Sequence, residues 1–212
     1  MKPGTITLAM TGASGADYTL RLFGYCLQSD IHVQFIISKP GQIVLGMESD
    51  LKLTGSTQKM QAQLVRYFDA DTSLISVYAK DQWTAPVASG SSVADAMVVC
   101  PCTMGSLASI ATGSSDNLIH RAADVIIKER KTLILVPRET PFSSIHLENM
   151  LKLARLGVVI LPPNPGFYQG VNQVSDLIDF VVARILDQLG IDNNLSPRWA
   201  EDQESVEPGT HG

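Results

Sequence analysis

Six short apolar, β-prone runs, at residues 5–10, 32–37, 74–78, 96–100, 132–136 and 157–161, are separated mostly by segments whose apolar residues recur at helical spacing. That alternation restricts the possible folds more than any other feature of the chain. Strands that each return through a helix pair in parallel, and a parallel sheet must be covered on both faces. The expected architecture is a single-domain α/β fold, a Rossmann-like or flavodoxin-like three-layer sandwich with a mainly parallel sheet and right-handed crossovers. The domain is placed at residues 1–190, with 191–212 a polar C-terminal tail that carries Trp199. No internal repeat and no Pro/Gly/Ser-rich linker divides the chain. Ligands of such folds bind at the carboxyl ends of the strands, so the residues that follow each run are the informative ones.

Composition narrows the partners. A net charge of −5, with no run of Lys and Arg interleaved with aromatics, argues against nucleic acid. No apolar stretch reaches about 18 residues and no charged segment precedes a long apolar one, so neither a membrane span nor a signal peptide is expected and the reading is cytoplasmic. Three cysteines make no disulfide framework. Cys100-Pro101-Cys102 reads as small buried residues rather than half of a metal site, and no metal is expected.

The first run leads through Thr11-Gly12-Ala13-Ser14-Gly15 into a helix at 18–27. A helix start of this kind offers unpaired amides and the positive end of the dipole; Gly12 and Gly15 allow close backbone approach, and Ser14 stands at the expected N-cap. Phosphate binding and a plain tight turn both fit. The pattern is not G-x-G-x-x-G, and the second run ends in Ser38-Lys39 rather than an acid for a ribose hydroxyl, which favours a single phosphate, as in FMN, over NAD.

Further along, 40–47 and 58–68 read as helices, and the Pro/Gly/Ser-rich loop 83–92 either lines a flavin or merely connects. Pro101 is expected to close the fourth strand. Thr103-Met104-Gly105-Ser106 then opens a second hydroxyl-bearing helix, suited to a phosphate or flavin ring, or to simple N-capping by Thr103. In the helix at 117–130, Arg121 falls on the apolar stripe of Leu118, Ala122, Val125 and Ile126, where a guanidinium needs a carboxylate or a substrate phosphate. Asp124 and Lys128 are expected as an i,i+4 surface pair. The fifth strand is expected to stop at Pro137 and leave Arg138 beside Glu139, either a solvated ion pair or a phosphate binder next to a proton carrier. A helix at 143–156 is apolar at Ile145, Leu147, Met150, Leu151 and Leu153. The loop 162–168 holds Phe167 and Tyr168, and Arg184 borders the apolar face of the last helix, 174–189.

In this order, Thr11-Gly-Ala-Ser-Gly15, Ala85-Pro-Val-Ala-Ser-Gly-Ser91, Pro101-Cys-Thr-Met104, Asp116-Asn-Leu-Ile-His-Arg-Ala-Ala-Asp-Val125, Lys128-Glu-Arg130, Leu135-Val-Pro-Arg-Glu-Thr-Pro141, His146-Leu-Glu-Asn-Met-Leu151 and Phe167-Tyr168 resemble the flavin prenyltransferase family of the UbiX type. Chains of this type also carry an older label as components of hydroxyarylic acid decarboxylases. The resemblance implies a Rossmann-like flavoprotein, usually a dodecamer with sites at subunit interfaces, that uses no metal. It would be a prenyltransferase joining a dimethylallyl group from dimethylallyl monophosphate to N5 and C6 of reduced FMN. The product, prenylated FMN, would serve a UbiD-type decarboxylase.

Position by position, the resemblance implies FMN contacts for Gly12, Ala13, Ser14, Ser38, Thr103, Met104, Gly105, Ser106 and Arg138. It implies dimethylallyl phosphate contacts for Arg121, Lys128, Glu139, Tyr168 and Arg184, with Ser14, Glu139, Lys128 and Arg121 in catalytic roles. The chain departs from the pattern at Gly105-Ser106, where many relatives have Lys-Thr, and at His120, where Thr is common. Two readings compete. A flavin-dependent cysteine-type decarboxylase needs a catalytic histidine in the first crossover, for which His32 is poorly placed; a non-catalytic flavin-carrying subunit would leave added flavin unchanged.

Overall fold

The computed structural model describes residues 2–167 and 171–197. Six strands, β1 (Thr5–Met10), β2 (His32–Ile37), β3 (Ile75–Tyr78), β4 (Ala96–Cys102), β5 (Thr132–Pro137) and β6 (Val159–Ile160), form one sheet in the order β3-β2-β1-β4-β5-β6. Every pairing is parallel, with Leu8 of β1 opposite Phe35 on one side and Val98 on the other. The expected strands are thus all present. Pro101, however, does not end β4, and Pro137 is the last residue of β5 rather than the first beyond it. β4 continues through a cis Cys100–Pro101 bond to Cys102, and Cys102 pairs with Pro137 of β5. The ladder shifts register between Val99 and Cys102, and such an irregularity accommodates a residue that has no N–H to donate.

Seven helices make the outer layers: α1 (Ala16–Gln28), α2 (Lys39–Glu48), α3 (Thr57–Phe68), α4 (Met104–Thr112), α5 (Leu118–Lys128), α6 (Ser144–Arg155) and α7 (Val174–Gln188). One core lies between the sheet and α1, α3 and α7, around Leu8, Phe23, Phe35, Leu64 and Ile185. Phe23 meets Phe35 edge to face at 5.3 Å and stacks on Phe68 at 4.9 Å, so one ring ties α1 to β2 and α3. Burying such a ring contributes roughly 1.5–3 kcal/mol. The other core lies between the sheet and α4, α5 and α6, around Met97, Val99, Leu107, Ile126 and Leu153. The sheet therefore separates α5 from α7.

Three expectations about helix faces need correction. Ser14 is not the N-cap of α1: Gly15 is, at φ +125, a conformation open to glycine, and no side chain of its own caps the helix. On α6, Ile145, Leu147 and Leu151 are exposed, and only Met150 and Leu153 turn into the core. The capping box between Ser143 and His146 sets where α6 starts, and the start fixes which residues face inward. Asp124 does not pair with Lys128. It pairs with Arg121, while Lys128 pairs with Glu129. Among the described residues no helix is long and apolar enough to cross a membrane.

Candidate functional site

β1 has β2 on one side and β4 on the other, so the chain leaves the carboxyl ends of β1 and β4 in opposite directions and opens a crevice between them. Thr11, 2% exposed, holds its two walls together. Its amide and hydroxyl both donate to the Pro101 carbonyl, at 3.2 and 2.8 Å, and its hydroxyl accepts from the Thr103 amide at 2.8 Å. Gly12 lies against the first residues of α2, where a Cβ would collide with Pro40. Ser38 caps α2 by accepting from the Gly41 amide, and Thr103 caps α4 by accepting from the Ser106 amide. The Ser106 hydroxyl lies 3.0 Å from that of Thr103.

The backbone amides of Gly12, Ala13 and Ser14 have no acceptor among the described residues, although Ala13 is 2% exposed. With the free first-turn amides of Met104 and Gly105, they form a cradle of donors at two helix starts. Arg138 follows β5 beside it, near enough for its charge to act on Glu48 at the start of α1. Its amide donates to the Cys102 carbonyl, and its exposed guanidinium makes no ion pair among the described residues. Glu139 does not pair with Arg138 either; its carboxylate accepts from the Thr140 amide at 3.1 Å. This rim of free amides, hydroxyls and one unpaired cation fits a phosphate monoester attached to a flat ring with carbonyls.

The sequence reading missed Glu48. The last residue of α2 places its carboxylate on the start of α1, where it accepts from the Gly15 and Ala16 amides at 2.8 and 2.9 Å. Partial burial alone would raise its pKa. Hydrogen bonds from Ala16, Ser14 and Gly15, with the charge of Arg138, outweigh that and hold the carboxyl below its ordinary value. Glu48 thus fills part of the helix start assigned to a phosphate. The available signal was a carboxylate ending a helix that itself starts at the crevice, but the pairing joins residues over thirty positions apart and has no local signature.

Among the described residues the cationic phosphate-binding candidates fall on two separate helices. On α5, the Arg121 side chain is 34% exposed rather than buried in the core, donating from Nε to the Ala88 carbonyl at 3.2 Å and from Nη1 to Asp124 at 2.8 Å. Lys128 lies at the far end of the same helix against Glu129, and both side chains crowd Gly90 of the loop that precedes β4. Arg184 is on α7, across the sheet, paired with Asp187 at 3.0 Å. It borders a groove of about 340 Å³ with Leu161, Pro162 and Phe180. Tyr168 and Trp199 lie outside the described residues. Cys100 and Cys102 are fully buried; burial pushes the Cys100 thiol up to about 12 and the Cys102 thiol higher still, so neither offers a thiolate. His120, one of the departures from the family pattern, is 8% exposed at the start of α5 and is contacted by the side chain of Asn117.

Comparison with known proteins matches residues 1–186 to a family described as Flavoprotein. The flavin prenyltransferase UbiX of Pseudomonas aeruginosa is 57% identical over 199 residues, which cover 94% of this chain and 95% of that one. A crystal structure of AnUbiX (PadA1) in complex with FMN and dimethylallyl pyrophosphate superposes with a TM-score of 0.82 at 39% identity, over 92% of this chain and 96% of that one. A dodecameric FMN-dependent UbiX-like decarboxylase from Escherichia coli O157:H7 gives 0.79 at 38% identity, over 92% and 98%. The family match over residues 1–186, an all-parallel sheet of this strand order and this level of identity lead to one conclusion: the chain belongs to the flavoprotein family and, within it, to the flavin prenyltransferases of the UbiX type.

Proposed function

We propose that the protein joins a dimethylallyl group from dimethylallyl monophosphate to N5 and C6 of reduced FMN, and that the prenylated FMN serves a UbiD-type decarboxylase. The observation that carries this reading is the cradle of Gly12, Ala13 and Ser14 amides beside an unpaired Arg138, in a chain this close to named flavin prenyltransferases. FMN would be held by Gly12, Ala13, Ser14, Ser38, Thr103, Met104, Gly105, Ser106 and Arg138. At Gly105 only the backbone can contribute, since this chain has no lysine there. Reduced flavin supplies the nucleophilic N5 and the ring carbon for the second bond.

The chain's own groups do the rest. Arg121, Lys128 and Arg184, with Tyr168 as a neutral donor, take up the charge that grows on the departing phosphate as its bond to the allyl carbon breaks. Closing the second ring requires a proton to reach the alkene and another to leave C6. Glu139 and Ser14 are the groups of suitable chemistry, and Glu48 holds the Ser14 hydroxyl in place. Because α5 and α7 lie on opposite sides of the sheet, the phosphate site is completed by neighbouring copies, in keeping with a homo-oligomer, which we take to be a dodecamer. Exclusion of water at such an interface limits capture of the allyl group by solvent.

The test is to incubate the protein, without added metal, with reduced FMN and dimethylallyl monophosphate and to weigh the flavin. The expected result is a gain of one five-carbon unit. Unchanged flavin would return the chain to the reading of a non-catalytic flavin carrier.

A further inference from the structure

Arg121 is held at two points. Its Nε donates to the Ala88 carbonyl at 3.2 Å, and its Nη1 donates to the Asp124 carboxylate at 2.8 Å. A guanidinium has five N–H donors in a rigid plane, so two anchors at different nitrogens fix that plane and leave three donors, including both on Nη2, free for a ligand. The anchors are themselves secured. Ala88 ends a short turn, Pro86–Ala88, in which Val87 is 1% exposed and packs into the core beside α5. Asp124 sits one turn along α5 from Arg121, and its side chain makes no other hydrogen bond or ion pair among the described residues. The same loop passes at Gly90 under the paired Lys128 and Glu129, so it backs both cations of α5. The loop at 83–92, readable from sequence as a flavin wall or a plain connection, acts here as the seat of a guanidinium.

We infer that Asp124 is a positioning residue for the prenyl-transfer step: with the Ala88 carbonyl it aims the free edge of Arg121 at the substrate phosphate. The inference rests on the phosphate-binding reading of Arg121 given above. A lone i,i+3 pair at the surface is worth little to stability, so a purely structural role for Asp124 predicts little effect of its removal on anything. A positioning role predicts a selective effect. An Arg121 released from Asp124 keeps its charge but samples other rotamers, and the affinity for the substrate phosphate falls by the fraction of time the guanidinium is aimed away.

The experiment compares Asp124→Ala, Asp124→Asn and Arg121→Lys, and the double variant of Arg121→Lys with Asp124→Ala, as intact oligomers. It measures KM for dimethylallyl monophosphate, kcat, FMN affinity and Tm. The expected result for Asp124→Ala is a rise in KM of about tenfold or more with FMN affinity and Tm unchanged. Asp124→Asn, which keeps an acceptor, should recover part of that loss. In the Arg121→Lys background, which cannot use both anchors, Asp124→Ala should add no further loss. Full additivity in the double variant, or an Asp124→Ala enzyme with the parent's KM, overturns the positioning role while leaving the phosphate reading intact. An Arg121→Lys enzyme with unchanged KM overturns the phosphate reading itself.

Discussion

The crevice and the cations beside it are built in opposite ways. The contacts that join the walls of the crevice link residues far apart in sequence: Thr11 to Pro101 and Thr103, Gly12 to Pro40, Glu48 to Gly15 and Ala16. The phosphate-binding candidates make their ion pairs locally, although Arg121 also reaches the Ala88 carbonyl of the loop before β4. Arg121 and Arg184 each pair three residues along their own helix, and Lys128 pairs with its neighbour Glu129. Long-range contacts form only when the whole sheet forms, so the flavin cradle is a property of the folded chain. Local pairs of half-exposed side chains contribute about 0–1 kcal/mol and hold a rotamer, not a site. On the function proposed above, the cations need a second surface to converge on, which would tie the phosphate chemistry to the assembly rather than to the subunit.

The largest expected effect breaks this comparison most directly. Arg121→Ala should reduce turnover by about thirtyfold to a few thousandfold, since a phosphate-site arginine contributes roughly 2–5 kcal/mol when paired and desolvated, while flavin binding stays intact. Gly12→Ala should do the reverse. Its Cβ would collide with backbone-anchored Pro40, costing about 1–3 kcal/mol in stability and the register of the free amides, so flavin retention falls on purification. If the two regions act across an interface, mixing the two dead variants as unfolded chains and refolding them together restores activity, to about one quarter of sites for random two-chain assembly. No recovery would place crevice and cations within one subunit and end the distinction.

A smaller effect sharpens the crevice side. Glu48→Ala removes the carboxylate that satisfies the first amides of α1, a capping loss of about 1 kcal/mol and hence about 2–4 °C in Tm for a chain of this size. The pH dependence has a definite sign. Because the folded carboxyl titrates below its ordinary value, its contribution is complete above the unfolded pKa of about 4.3 and is lost as pH falls through the lower folded value. The difference in Tm between the parent and Glu48→Ala should therefore be constant from neutral pH down to about 4.3 and shrink only below it. A difference that varies between pH 5 and 8 would show that Glu48 is not the carboxylate on these amides.

How much of this is legible in the chain follows the same division. The six strands and the turn at residues 11–15 can be read because periodicity and glycine placement are local. Ser38 and Thr103 are legible as helix starts for the same reason. Glu48 is not, since its meaning comes from a contact across the first crossover. Pro101 misleads because proline ordinarily stops a strand, whereas a shift in the ladder lets β4 run on to Cys102, which pairs with Pro137 at the end of β5. Arg121 stands out as anomalous on its stripe, yet the stripe alone turns it inward. The stripe rule averages over a turn and does not see that Ala88 and Asp124 can satisfy a guanidinium at the rim. The swapped pairing of Asp124 is the same error seen from its partner.

The smallest expected effect concerns His120, the neighbour of Arg121 on α5. His120 is buried under the start of α5, where Asn117 is both the N-cap and its hydrogen-bond neighbour at 3.3 Å, and Asp116 lies 3.8 Å away. Burial lowers its pKa, and the Asp116 charge recovers only part of the shift. The unfolded chain therefore takes up a proton near pH 6.5 that the folded chain refuses, and stability falls as pH drops below about that value toward the lower folded one. His32, also lowered by burial, adds to the same slope from the opposite end of the fold. Measured as Tm between about pH 7.5 and 5, the decline should become shallower in His120→Thr and again in a His120→Thr, His32→Gln double variant.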